Sequence, residues 1–260
     1  MRASLIQIAV DPDEPVEDRR ARVARLVREE RGAADLVVLP ELWPMGAFAY
    51  EAFAAEAEPM KGPTYEAMSA AARDAGVWLH AGSVVEAAGG ALYNTSLVFS
   101  PDGELAASYR KIHRFGFDKG EAVLMAAGED LVTVALPPLT VGVATCYDLR
   151  FPELFRGLVD AGAQAFVVPA GWPARRLAHW TLLARARAVE NQAYVLACAT
   201  AGTHAGVEQS GHSLVVDPWG EVLAEAGPDE EILRVELDPA KVTTTREQFP
   251  ALKDRVLGRP

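Results

Sequence analysis

Cysteine is scarce in this chain: only Cys146 and Cys198 occur among 260 residues. Two thiols cannot make a disulfide framework in a chain this long, so a reducing, cytoplasmic setting is expected. Long hydrophobic runs are lacking as well. No stretch approaches ~18 uninterrupted apolar residues, which excludes an obvious transmembrane helix. The apolar run at 4–10 is followed at once by Asp11, Asp13 and Glu14 with no small-residue cleavage site, and reads as a first strand rather than a signal peptide. Positive charge is in deficit: the net charge is −11 and no basic stripe appears. Nucleic acid and membranes are therefore not expected as partners. Walker A, GxGxxG, GxSxG, HExxH and CxxC patterns are all missing. The five histidines, His80, His113, His179, His204 and His212, lack metal-ligand spacing.

What is present is an alternation of short apolar runs and amphipathic segments. Runs at 4–10, 35–40, 77–86, 92–100, 104–110, 131–136, 140–144, 165–169, 194–199, 213–216, 221–224 and 232–237 read as strands. Helices are expected over 17–31, with Ala21, Val23, Ala24 and Val27 inward, over 63–75, with Met68, Ala71 and Ala72 inward, and over 152–160 and 175–191. Gly76 and Gly162 fall where helix-ending glycines belong, and Pro152 opens a helix. No Ser/Gly linker, low-complexity tract or repeat divides the chain. Residues 1–260 are read as one α/β domain in which sheets are layered under helices. From about residue 239 the tail turns polar, with scattered apolar anchors.

Three reactive side chains share one placement, just past the C-terminal end of an apolar strand: Glu41, Lys111 and Cys146. A rigid sheet can present such residues to one cleft. A free thiol is mostly protonated at neutral pH and needs a base or a nearby cation; a Glu supplies the first and a Lys the second. Each residue alone has a bland reading: a turn cap for Glu41, a surface charge for Lys111, an inert core thiol for either cysteine. Cys198, in Tyr194-Val195-Leu196-Ala197-Cys198, looks like a small core hydrophobe. Cys146 differs because Tyr147-Asp148-Leu149-Arg150 and a helix start follow it. A Cys–His dyad using His113 or His179 stays open at this level.

At these residues the chain resembles the nitrilase superfamily of carbon–nitrogen hydrolases. The segments Leu39-Pro40-Glu41-Leu42, Tyr109-Arg110-Lys111-Ile112-His113 and Cys146-Tyr147-Asp148-Leu149-Arg150-Phe151-Pro152-Glu153 match its motifs in order and spacing. The likeness continues through His179-Trp180, 185–192 and Gly211-His212-Ser213. It implies a four-layer αββα sandwich, pairing into αββααββα in a homodimer or higher homo-oligomer, with the tail a candidate contact for a partner subunit. It also implies a Glu41–Lys111–Cys146 triad and an auxiliary glutamate, best matched by Glu121, with Glu129 as competitor. The Cys146-Tyr147-Asp148-Leu149-Arg150-Phe151 segment, the Gly171-Trp172-Pro173-Ala174 loop and His179-Trp180 are most similar to the ω-amidase branch.

The expected chemistry is hydrolysis of a small-molecule amide through a cysteine thioester, with ammonia released and no metal or cofactor required. Monoamides of small dicarboxylates such as 2-oxoglutaramate are the expected substrates. N-carbamoyl amino acid hydrolase, aliphatic amidase and nitrilase are alternatives on the same fold, as are an acyltransferase and a non-catalytic binding protein. The Tyr147 backbone N–H is the expected oxyanion donor. Phe115, Phe117 and Trp172 are candidate pocket walls. Arg150 is expected to pair with Asp148 or Glu153 rather than bind a substrate carboxylate, for which Arg175 and Arg176 are further candidates.

Overall fold

Two six-stranded sheets form from the expected apolar runs in the computed structural model, which describes residues 1–258; Arg259 and Pro260, the end of the tail, lie outside the described residues. The first sheet contains β1 (Arg2–Gln7), β2 (Leu36–Val38), β3 (Trp78–Ala88), β4 (Ala91–Phe99), β5 (Leu105–Arg110) and, from near the end of the chain, β14 (Glu231–Glu236). Its order is β14-β1-β2-β3-β4-β5. The second contains β6 (Thr133–Leu136), β7 (Leu139–Val143), β8 (Ala165–Ala170), β9 (Tyr194–Ala199), β12 (Leu214–Val216) and β13 (Val222–Glu225), in the order β13-β12-β9-β8-β7-β6. A two-residue pair, β10 (Thr203–His204) with β11 (Val207–Glu208), stands apart. Each large sheet has a parallel centre, β1-β2-β3 or β7-β8-β9, flanked by antiparallel strands.

Strands in such a centre are covered on both faces, which is why they read as unbroken apolar runs. In β1 and β2, Leu5, Leu36 and Val38 face the second sheet, while Ile6 and Val37 face the helices α1 (Val16–Glu29) and α2 (Pro63–Ala75). Helices α4 (Pro152–Asp160) and α5 (Leu177–Asn191) cover the outer face of the second sheet through Leu154, Phe155, Leu158, Trp180, Ala184 and Ala188. The fold is thus the αββα sandwich. Each fully buried Leu, Val or Phe contributes about 1.5–3 kcal/mol. Cys198 lies between the sheets, its Sγ 3.4 Å from the Val38 carbonyl and 3.5 Å from that of Ile6. Burial pushes its thiol upward, as suits an inert core cysteine.

One expectation needs correction. In α1, Ala21 is exposed and Arg19 is buried instead. Its guanidinium donates to Glu14 (3.0 Å), to the Pro44 carbonyl (2.7 Å) and to the Asp11 carbonyl, fastening the helix to the loop after β2. In the polar tail a helix, α6 (Ala240–Gln248), forms. Its run of Val242, Thr243, Thr244 and Thr245 is poor helix sequence. Arg246 holds it in place by donating to the carbonyls of Gln192 (3.2 Å) and Asn191 (3.3 Å) at the end of α5 and of Ala163 (3.0 Å) in the turn after α4. No helix among the described residues is long and apolar enough to cross a membrane.

Candidate active site

Glu41 follows β2 by three residues, Lys111 follows β5 directly, and Cys146 follows β7 by three. The chain can turn so sharply after β2 because β3 passes close by at Gly82, where a Cβ would fall 2.0 Å from the Pro40 carbonyl oxygen. At the end of β7, Cys146 opens a short 3-10 turn, Cys146–Arg150, with φ of 48°. A non-glycine residue held there costs on the order of 1–3 kcal/mol, and that strain is met by the contacts around it. The fully buried Asp148 carboxylate accepts four of them. The donors are the Thr145 N–H (2.9 Å), the Tyr109 hydroxyl (2.7 Å), the His113 N–H (3.0 Å) and the His113 ring (2.7 Å). One carboxylate therefore ties the turn at Cys146 to the segment that carries Lys111.

The ammonium of Lys111, only 2% exposed, donates to Glu41 Oε1 and Glu121 Oε2, each at 2.7 Å. Asn94, in the middle of β4, donates from Nδ2 to Glu41 Oε1 (2.8 Å) and Glu121 Oε1 (2.5 Å). Its amide must point that way, since the oxygen would oppose two carboxylates. Glu41 Oε2 accepts from the Gly171 N–H at 2.8 Å, and Glu121 Oε2 from the Phe115 N–H at 2.8 Å. Cys146 Sγ lies 3.7 Å from the Gly171 carbonyl oxygen. A Cβ on Gly171 would fall 2.3 Å from that of Ala47, so this strand end admits no side chain.

Electrostatics fix the resting protonation. Burial alone disfavours the Lys111 ammonium, but the charges of Glu121 and Glu41 outweigh it and hold its pKa well above the lysine range. Burial, and then the Glu41 carboxylate, push the Cys146 thiol well above its ordinary value against the pull of Lys111. Glu121 is also raised, by burial and by Glu41, with Lys111 opposing. The resting sulfur is therefore a thiol rather than a preformed thiolate. A thiol so placed would have to lose its proton in order to attack a substrate, and Glu41, whose carboxylate shares its surroundings, is the adjacent acceptor.

These groups line a cleft together with Ala47, Phe48, Phe115, Tyr147, Arg150, Trp172, Pro173 and Arg176. The cleft brings together Glu41, Lys111, Cys146, Glu121, Tyr147, Phe115, Arg150 and Trp172 from the expected set. It leaves out Phe117, which is 83% exposed and meets only the edge of Phe115 at 6.3 Å. Glu129 and Arg175 are exposed away from it, so Glu121 is the glutamate at the lysine. Neither His113 nor His179 reaches the sulfur: His113 is held by Asp148 and stacked on Phe151, and His179 is exposed beside Arg150.

The Arg150 reading is corrected as well. Asp148 is saturated by other donors, and Arg150 makes no ion pair among the described residues. It lies 5.0 Å over the Trp172 ring and meets His179 at 3.3 Å. Arg176, 5.3 Å over Phe115, likewise has no carboxylate partner among the described residues. Asn94 and Phe48 were not expected. The signal for Asn94 was its own type, since asparagine is disfavoured in the middle of a strand. Among the described residues no group of three or more His, Cys, Asp or Glu could hold a metal ion.

The carbon–nitrogen hydrolase family model matches residues 2–247, nearly the whole chain. The chain belongs to the carbon–nitrogen hydrolase family. It is 43% identical to a 2-oxoglutaramate amidase of Paenarthrobacter nicotinovorans over 258 residues, 96% of this chain and 87% of that protein. An omega-amidase of Mus musculus is 38% identical over 98% of this chain and 94% of its own length. Among solved structures, Saccharomyces cerevisiae Nit3, a member of branch 10 of the nitrilase superfamily, superposes with a TM-score of 0.89 at 33% identity. The match covers 99% of this chain and 97% of that one. This carbon–nitrogen hydrolase is accordingly an amidohydrolase acting on bonds other than peptide bonds.

Proposed function

We propose that this hydrolase is an ω-amidase that removes ammonia from monoamides of small dicarboxylic acids such as 2-oxoglutaramate. The observation that carries this reading is the pair of arginines, Arg150 and Arg176, that have no carboxylate partner among the described residues and line the same cleft as a buried thiol, two carboxylates and an ammonium. A guanidinium binds a carboxylate through paired, charge-assisted hydrogen bonds, so the amide with a distal acid group is the preferred occupant.

In this reading Glu41 takes the thiol proton as Cys146 Sγ attacks the amide carbon. The oxyanion that forms is held by the Lys111 ammonium and the Tyr147 N–H. Glu41 returns the proton to the nitrogen, the C–N bond breaks, ammonia leaves, and a thioester remains. Glu41 then takes a proton from water, which attacks the thioester carbon; the sulfur leaves, recovers that proton, and the acid departs. Glu121 acts on Lys111, keeping it protonated and aimed between the two carboxylates, with Asn94 bridging them. Phe115 and Trp172 are walls of the substrate pocket.

A cytoplasmic location fits a nucleophile that must stay reduced. Residues 1–260 work as one hydrolase domain, and the molecule pairs into a homodimer to which the tail beyond residue 239 contributes. Leu182 and Val189 on α5, with Trp219 and Phe249, offer exposed apolar side chains for that packing.

The test is mass spectrometry of the intact protein after brief exposure to 2-oxoglutaramate, an N-carbamoyl amino acid, an aliphatic amide and a nitrile. An adduct of the dicarboxylate acyl mass on Cys146, with ammonia released from 2-oxoglutaramate fastest, is the expected result. An acyl mass from another substrate alone overturns the ω-amidase reading, and full activity in Cys146→Ala overturns the nucleophile.

A further inference from the structure

The charged side chains of the cleft are sorted by depth. Glu41, Lys111 and Glu121 are 1%, 2% and 3% exposed and make its inner end; Arg150 and Arg176 are half-buried and make its outer end. Both glutamates are ionised, because each is held by three donors. Glu41 accepts from Lys111, Asn94 and the Gly171 N–H, and Glu121 from Lys111, Asn94 and the Phe115 N–H. Two carboxylates against one ammonium leave one negative charge at the inner end. The two guanidiniums, with no carboxylate partner among the described residues, leave two positive charges at the outer end.

Neighbouring groups feel the same division. Tyr50, whose ring stands against Gly120 beside Glu121, has its phenol pushed up to about 12 by burial and then by Glu121 and Glu41. The Cys146 thiol is raised by burial and then by Glu41, and Glu121 by burial and, against Lys111, by Glu41. At the outer end Arg176 is lowered by burial and then by the charges of Arg175 and Arg150, with His179 beside Arg150. Tyr147 completes the titratable lining. A monoamide of a dicarboxylic acid matches this pattern, with an uncharged head at the inner end and its carboxylate at the arginines. The diacid made from it would set a second carboxylate against the inner negative charge. Carboxylates crowded into a buried site cannot all stay ionised.

We propose that the cleft holds the diacid product only together with one added proton, whereas it holds the monoamide without one. The proton is shared between the new acid group and the two glutamates. Hydrolysis delivers the product in that form: water gives its hydroxyl to the acyl carbon with one proton still on it, and its other proton to the sulfur. In solvent the acid ionises, and the dianion is not readmitted. The diacid is thus an inhibitor that strengthens as the pH falls. The identity of the acid rests on the ω-amidase reading; the coupled proton rests on the charges of the cleft.

The test is calorimetry of the Cys146→Ala protein, which cannot form a thioester, with succinate and with its monoamide, succinamate. Titrations in buffers of different ionisation enthalpy, between about pH 6.5 and 8.5 where free carboxylates are ionised, count the protons taken up. The expected result is about one proton per succinate and a Kd that rises about tenfold per pH unit, with neither effect for succinamate. In the Cys146→Ala/Glu121→Gln protein, whose inner end carries no net charge, succinate should bind at least about tenfold tighter at the upper pH and lose its proton uptake. Succinate binding without proton uptake, equal uptake with succinamate, or unchanged uptake in the folded Glu121→Gln protein overturns the proposal. Should that variant not fold, the pH series alone decides. If succinamate does not bind while succinate takes up its proton, only the substrate reading falls. Binding of neither overturns both.

Discussion

Replacing Lys111 with methionine removes one ammonium and leaves two carboxylates facing each other in the interior. Glu41 and Glu121 are 1% and 3% exposed, and each gives up a 2.7 Å ion pair; only the Asn94 amide and backbone N–H groups remain to hold them. Breaking a buried pair from one side costs about 3–5 kcal/mol, because the survivor is left charged and unsolvated. In a domain of this size that corresponds to a melting temperature lower by on the order of 10 °C. The deficit depends on pH. Glu121 is already raised by burial and by Glu41, and loss of Lys111 raises it further, so its folded value lies above its unfolded one. The folded variant then binds the extra proton, and its stability is fullest in acid and lost as pH rises through the raised folded value. Thermal melts of wild type and Lys111→Met should thus differ more at alkaline than at acid pH. Amidase activity should fall by at least about 10²–10³ with the oxyanion donor gone. A deficit below about 1 kcal/mol, or one that does not change with pH, would refute the buried-charge account.

Asn94→Leu should reduce kcat/KM by about tenfold or more, because it removes a donor shared by both carboxylates, and Asn94→Asp, which adds a third negative charge, should be worse; steady-state assays decide. Arg150→Ala and Arg176→Ala should each raise KM about 10–100-fold for an amide bearing a distal carboxylate and leave a neutral aliphatic amide little changed; equal losses on both substrates would remove the carboxylate role. Because the Cys146 thiol is pushed well up by burial and by Glu41, inactivation by iodoacetamide should rise about tenfold per pH unit beyond neutrality, with no plateau before pH 9. Gly171→Ala should abolish activity by displacing either Ala47 or the N–H that holds Glu41, visible as lost turnover with the fold retained by circular dichroism.

Much of this was legible in the sequence because local pattern and tertiary demand coincide there. Centre strands such as β2 and β7 must be apolar on both faces, so their runs stand out, and reactive residues past their ends could be picked out as Glu41 and Cys146, with Lys111 past the edge strand β5. Residues 63–75 and 152–160 were bounded by prolines and glycines whose conformations leave little choice. Other features follow only from what the folded chain brings near. Nothing local to Arg150 says that Asp148, two residues away, is already taken by Tyr109, Thr145 and His113. Phe117 and Phe115 are two residues apart, and only the path of their loop decides that one lines the cleft and the other is exposed. A run of threonines becomes α6 because Arg246 finds two carbonyls at the end of α5 and a third in the turn after α4. Periodicity reports which face of an element is dry; it carries no record of which distant partner has filled a carboxylate's last acceptor site, and that decides which charges remain for a substrate.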